Sequence, residues 1–192
     1  MSRSDLKPIL LRAAALALLV GGVGWALVGL AGGWVGADAF ALTETQMRAS
    51  LQPFLVLLLL GLPGFYFGLR TGQSWVLMAG TIVMAIGVLA LMLGTATAFG
   101  ITGRGGDQGG ETTIAVGTVI LGIGALVAGL GLIRQGGTAD WISVLLAALG
   151  LLVIPALLVP RLAFAPGLCW AALGVTVWLA AAEADADLGR PG

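Results

Sequence analysis

Apolar residues in this chain neither alternate nor recur at helical intervals. They run on, and polar residues serve as punctuation between runs. Six apolar segments stand out, at roughly 9–35, 52–69, 75–98, 113–133, 141–159 and 162–182. A hydrocarbon slab of ~30 Å needs about 20 apolar residues as an α-helix. All six segments are of that order, the second being near the short end. FLVLLLLGL (54–62) and VLLAALGLLVI (144–154) show no alternation, which argues against transmembrane strands with their lipid-facing and lumen-facing sides. Backbone groups in lipid must be satisfied within the segment, and a helix does that. The pattern predicts an all-α fold: a polytopic transmembrane helical bundle of about six spans. It forms a single integral membrane domain over 1–192, with a flexible external loop at 99–112 and an acidic tail at 183–192.

The punctuation has its own pattern. GFYFGLRTGQSW (64–75) and LVAGLGLIRQGGTADW (126–141) share one order: apolar run, Arg, glycine turn, Trp. Arg snorkels toward headgroups and Trp favours the interface. Arg70, Trp75, Arg134 and Trp141 are therefore interfacial anchors at two hairpin tips of the same orientation. Arg12, a few residues into the first segment, is a further anchor. Two accounts of the repeated tip stay open. Any membrane hairpin tip suits these residue types, or spans two–three and four–five are tandem copies. The Arg-to-Arg interval is 64 residues and the Trp-to-Trp interval 66.

Orientation follows from the basic residues. With the N-terminus in the cytoplasm, Arg3, Lys7, Arg12, Arg70, Arg134 and Arg190 lie inside, against Arg48, Arg104 and Arg161 outside. The expected location is the cell membrane, multi-pass, with both termini cytoplasmic. The first apolar segment is too long for the ~7–15-residue core of a signal peptide and reads as an uncleaved span.

The tips carry a resemblance. Gly68, Arg70, Trp75 and Gly80 in one hairpin, and Arg134, Trp141 and Gly150 in the next, are similar to HdeD-type proteins, small six-span bacterial membrane proteins linked to acid resistance. The resemblance covers about a third of the chain. It implies a six-span fold and a stress-related role, and it brings no catalytic residues.

Composition narrows the chemistry. Hydrophobic residues make up 59% and charged residues 9%, with mean hydropathy +1.07, against about a quarter charged in soluble domains. Nine basic and nine acidic residues balance with no basic patch, so nucleic acid is not an expected partner. The eight arginines against a single lysine, Lys7, hint at a GC-rich prokaryotic source. Histidine is absent and Cys169 is the only cysteine. That removes an intramolecular disulfide, a thiol–imidazole nucleophile and the usual zinc, haem and copper ligand sets. GRGGDQGG (103–110) lacks the Gly-Lys-Ser/Thr of a phosphate loop and reads as a linker. No Asp or Glu falls inside a predicted span. No catalytic, cofactor-binding or metal-binding residues are expected, and no cofactor. Tyr66, between Phe65 and Phe67, reads as a belt residue.

What remains is packing. Small residues four apart let helix backbones approach. Gly29, Gly33 and Gly36 mark one face of a tryptophan-bearing helix, and Gly64 and Gly68 another. These five are the helix-packing candidates. Gly124 with Ala128 and Ala125 with Gly129 show the same spacing. Pro63 and Pro155 fall within spans and predict kinks near 59–63 and 151–155. The expected function is non-catalytic: an accessory, assembly or stress-related membrane component working through helix packing. The alternative is a small passive transporter or channel for an apolar or uncharged solute. Expected partners are the lipid bilayer and either other membrane-protein subunits or further copies of the chain.

Overall fold

The computed structural model describes residues 3–33, 44–69, 75–98, 108–135, 140–158, 162 and 164–188. Apart from a 3₁₀ residue at 162, all of these are α-helical. The six helices are α1 (Arg3–Gly33), α2 (Glu44–Leu69), α3 (Trp75–Ala98), α4 (Gln108–Gln135), α5 (Asp140–Leu158) and α6 (Phe164–Leu188). Four are long and apolar enough to cross a membrane, over Ile9–Ala31, Ser50–Phe67, Trp75–Thr97 and Thr112–Arg134. The apolar stretches of α5 and α6 are shorter, Trp141–Ala156 and Phe164–Leu179.

The helices outrun the apolar segments. α1 begins six residues before the apolar run, through Arg3 and Lys7. α2 takes in Glu44–Gln52 and continues through Pro53 and Pro63, and α5 continues through Pro155. α4 starts at Gln108, so the end of the 99–112 loop is helical, while 99–107 lies outside the described residues. The acidic stretch of the tail is also helical: Glu183, Asp185 and Asp187 all belong to α6. The physical reason is common to all of these. Hydropathy reports where lipid ends, whereas the i to i−4 hydrogen-bond ladder continues for as long as nothing breaks it.

Each helix packs on its neighbours in chain order, and α6 returns to α1, which closes a ring; α6 also touches α2. The most extensive interfaces are α3 with α4 and α1 with α6. Neither lies within the hairpins whose tips repeat. The core runs through all six helices, from Leu18 and Leu58 through Phe65, Met84 and Leu121 to Leu146 and Trp170. The periphery exposes large apolar side chains on every helix, among them Leu27, Leu60, Leu93, Ile133, Leu151 and Leu179. A soluble fold of this size rarely leaves such continuous apolar surface; hydrocarbon around the bundle accounts for it.

Candidate functional site

Three arrangements stand out: glycine seams, an interhelical polar clamp, and one end rich in cationic and aromatic residues.

The seams are the most regular. Gly80, Gly87 and Gly94 recur every seven residues on α3, and Gly117, Gly124 and Gly131 do so on α4. Gly80 meets Ala128, Gly87 meets Leu121 and Gly94 meets Ile114; in return Gly131 meets Leu77, Gly124 meets Met84 and Gly117 meets Leu91. Each step of seven down one helix is matched by seven up the other, so the pair is antiparallel with a constant register. A Cβ on Gly87 would stand 2.5 Å from the Leu121 amide nitrogen, and one on Gly124 2.5 Å from that of Met84. Backbone, not a flexible side chain, occupies the space. Heptad spacing keeps one stripe facing one partner along the whole helix, and glycine there brings the two backbones into contact.

The α1–α6 seam follows the same logic, with Gly22 against Ala171, Gly167 against Ala26 and Gly174 against Leu19. On another face of α1, Gly21 meets Leu58, while Gly61 and Gly64 of α2 meet Leu18 and Ala14. α4 and α5 cross at Gly122 and Gly150, each within 3.0 Å of the other's carbonyl oxygen if a Cβ is added.

Of the packing candidates, Gly64 is in the α1–α2 contact and Gly29 is buried in α1. Gly33 ends α1, Gly68 lies in the last turn of α2, and Gly36 falls outside the described residues. The tightest described approaches on α1 are at Gly21, Gly22 and Gly24. The signal that finds the strongest seams is a seven-residue glycine interval, not a four-residue one.

The clamp joins α2 to α3. The Gln52 amide nitrogen donates to the Met92 carbonyl oxygen at 2.7 Å and also to the Thr95 hydroxyl. The Thr95 hydroxyl donates in turn to the Leu91 carbonyl at 2.7 Å. Three other buried threonine hydroxyls bond within their own helices: Thr81 to Leu77, Thr118 to Ile114 and Thr176 to Ala172. Among the described residues, the buried side chains counted as polar are Thr81, Thr95, Thr118, Ser143 and Thr176. Buried as well is the indole nitrogen of Trp170, which has no hydrogen-bond partner. Leaving such a donor unsatisfied costs about 1–3 kcal/mol.

The antiparallel registers bring the anchors to one end of the bundle. Arg12 lies near the start of α1, Trp75 at the start of α3, Arg134 in the last turn of α4 and Trp141 at the start of α5. Tyr66 and Phe67 join them at the end of α2, their rings edge-on with centroids 5.2 Å apart. Trp75 is 73% exposed and Trp141 44%, which suits rings that sit among headgroups. The Arg12 guanidinium carbon lies 6.0 Å from the Trp178 ring centroid on α6. Arg70 falls outside the described residues. Of the remaining residues that carry the HdeD-type resemblance, Gly80 sits in the α3–α4 seam and Gly150 in the α4–α5 crossing.

No group of three or more His, Cys, Asp or Glu residues able to hold a metal ion occurs among the described residues. No protein-family model, no curated protein and no solved structure matches the chain.

Proposed function

We propose that this chain is a six-span, non-catalytic integral membrane protein with both termini in the cytoplasm. In this reading it acts as an accessory, assembly or stress-related component through helix packing. One observation carries it. The interior is occupied by backbone-to-backbone glycine seams and hydrocarbon side chains, and the buried threonines bond to backbone carbonyls of their own helices. Such an interior suits a stable scaffold rather than acid–base or nucleophilic chemistry, which needs titratable groups within reach of a substrate. Two features support six spans rather than four. α5 and α6 pack into the same ring, and α6 runs antiparallel to α1 along a seam of several turns. The cluster of Arg12, Arg134, Trp75 and Trp141 at one end supports placing that end at the cytoplasmic face.

A tagged full-length chain, solubilised from its native membrane in mild detergent, should retain a stoichiometric membrane-protein partner or a second copy of itself. A monodisperse monomer with no companion would count against the proposal. The second reading, a passive route for an apolar or uncharged solute, draws on the Trp170 indole nitrogen, which has no acceptor in the bundle interior. Saturable flux into liposomes containing only this chain would favour it.

A further inference from the structure

The glycine approaches divide the helices into two groups. Among the described residues, every such approach joins α6 to α1, α1 to α2, α3 to α4 or α4 to α5. None crosses from α2 to α3 or from α5 to α6, and those two interfaces are smaller than the other four. Helices in backbone contact move together, whereas thinner side-chain contacts let packed elements shift. The bundle is thus two three-helix units, α6–α1–α2 and α3–α4–α5, that meet along two thinner lines. The Gln52 amide latches one of those lines, bonded to Met92 and Thr95. It joins the start of α2 to the end of α3, the end away from the 70–74 connection. Releasing it lets this pair splay.

Trp170 stands where the units meet. On α6, Gly167, Ala171 and Gly174 form the stripe against α1, while Leu168, Val175 and Leu179 are exposed. At about 100° per residue, Trp170, Leu173 and Val177 fall on the opposite side of that stripe from the exposed arc, and all three are fully buried. They face the middle of the ring. Ala171 meets Gly22, close to the midpoint of the apolar stretch Ile9–Ala31, so the indole lies near mid-depth. Its nitrogen has no hydrogen-bond partner.

The chemistry that suits such a group is narrow. An indole N–H donates once and accepts nothing. A water needs two to four polar partners, and Leu58 and Leu173, buried at neighbouring depths, supply none. A phospholipid fits poorly, because its ester carbonyls are held beside the headgroups at the edge of the hydrocarbon. A neutral lipid without a headgroup can carry one carbonyl oxygen to mid-depth on an otherwise apolar body.

We propose that the middle of the ring binds a neutral, lipid-soluble carbonyl compound at the Trp170 indole, admitted from the bilayer where α2 and α3 part. This builds on the solute-route reading by naming the solute's chemistry. Binding requires no passage across the bilayer, so an absence of flux would remove that reading and leave this one standing.

The test uses the full-length chain, labelled with nitrogen-15 at its tryptophan indoles, in detergent. Methyl decanoate is titrated in parallel with decane, an apolar chain without the carbonyl. The Trp170 resonance is assigned with Trp170→Phe or, should that variant not fold, by elimination after replacing Trp25, Trp34, Trp75, Trp141 and Trp178 singly. The ester is expected to move the Trp170 indole proton downfield and to saturate, and decane to leave it in place. In a Cys169→Ser chain carrying Gln52→Cys and Thr95→Cys, a short reversible cross-link between α2 and α3 should abolish the shift, and reductant should restore it. No shift at Trp170, an equal shift with decane, or an unsaturating drift shared by all six indoles would overturn the site. An undiminished shift in the cross-linked chain would overturn admission between α2 and α3.

Discussion

Gly22 of α1 and Gly167 of α6 face each other so closely that a Cβ on either would stand 2.7 Å from the other's carbonyl oxygen. The relation is reciprocal, so neither helix can yield without moving the other. Cα–H to carbonyl contacts recur where helices cross on glycine, and each contributes about 0.5–1 kcal/mol. Their larger effect is geometric. They set the distance at which every neighbouring side chain must pack.

That geometry gives a graded prediction. Gly22→Ala and Gly124→Ala should each destabilise the protein by about 1–3 kcal/mol, the usual cost of overpacking, because the obstacle is backbone of the facing helix. Gly129→Ala is the control. Its Cβ would meet Leu146 and the Ser143 carbonyl at 3.4 Å, an ordinary contact, and the helix itself gains up to about 1 kcal/mol from replacing glycine. That variant should melt at or above the wild type. No loss at Gly22 and Gly124 would mean that the seams are looser than described, and an equal loss at Gly129 would mean that backbone obstruction does not set the cost.

Gln52 offers a second test, at a place where α2 and α3 have a smaller interface than α3 and α4. Gln52→Leu removes the donor to Met92 and Thr95 while keeping bulk. Interhelical hydrogen bonds in membranes average about 0.6 kcal/mol and reach about 1.7, so a loss in that range is expected. Thr95→Val made in the Gln52→Leu background should cost less than in the wild type. Independent effects would show that the two side chains are not coupled.

Topology is the third prediction. In a Cys169→Ser background, single cysteines at Thr45 and Gly106 should react with an impermeant reagent from outside the cell, and cysteines at Gly72 and Gly136 should not. The expectation rests on the six-to-three distribution of basic residues. The reverse labelling pattern would invert the orientation proposed above.

The helices were legible because hydropathy is a local property. Trp75–Ala98 can be read directly from an unbroken apolar run that starts at an interfacial ring. The seams were not legible in the same way. With 32 glycines in the chain, pairs four apart arise by chance on many faces, and Gly29 with Gly33 cannot be ranked against Gly22 until the partner helix is known. The interval that marks α3 and α4 spans two turns and has meaning only when the facing helix repeats it. Gln52 stands at the start of the second apolar segment, but its acceptors lie some forty residues away on another helix. The orphaned indole of Trp170 could not be read at all, since partnership is a property of the packed core.

The last prediction concerns energy coupling. Driving a solute uphill with a proton gradient requires a group that loads and releases a proton within the membrane, and such groups are costly there and few. Among the described residues, the buried side chains counted as polar are four threonines and a serine, none of which titrates near neutral pH. Arg12 is shallow and exposed, outside the buried core. Purified protein in liposomes with an imposed pH difference should therefore accumulate no solute against its gradient. Any flux it supports should be passive and unchanged by a protonophore. The measurement is uptake of a labelled uncharged solute with the pH difference set in either direction, with and without protonophore. Accumulation that collapses when the protonophore is added would require a titrating group facing the solute path. Tyr66 and the acids Asp38 and Asp140 would be the first to replace, by Phe and Asn respectively, and the variant that abolishes accumulation while leaving passive flux intact would identify the group.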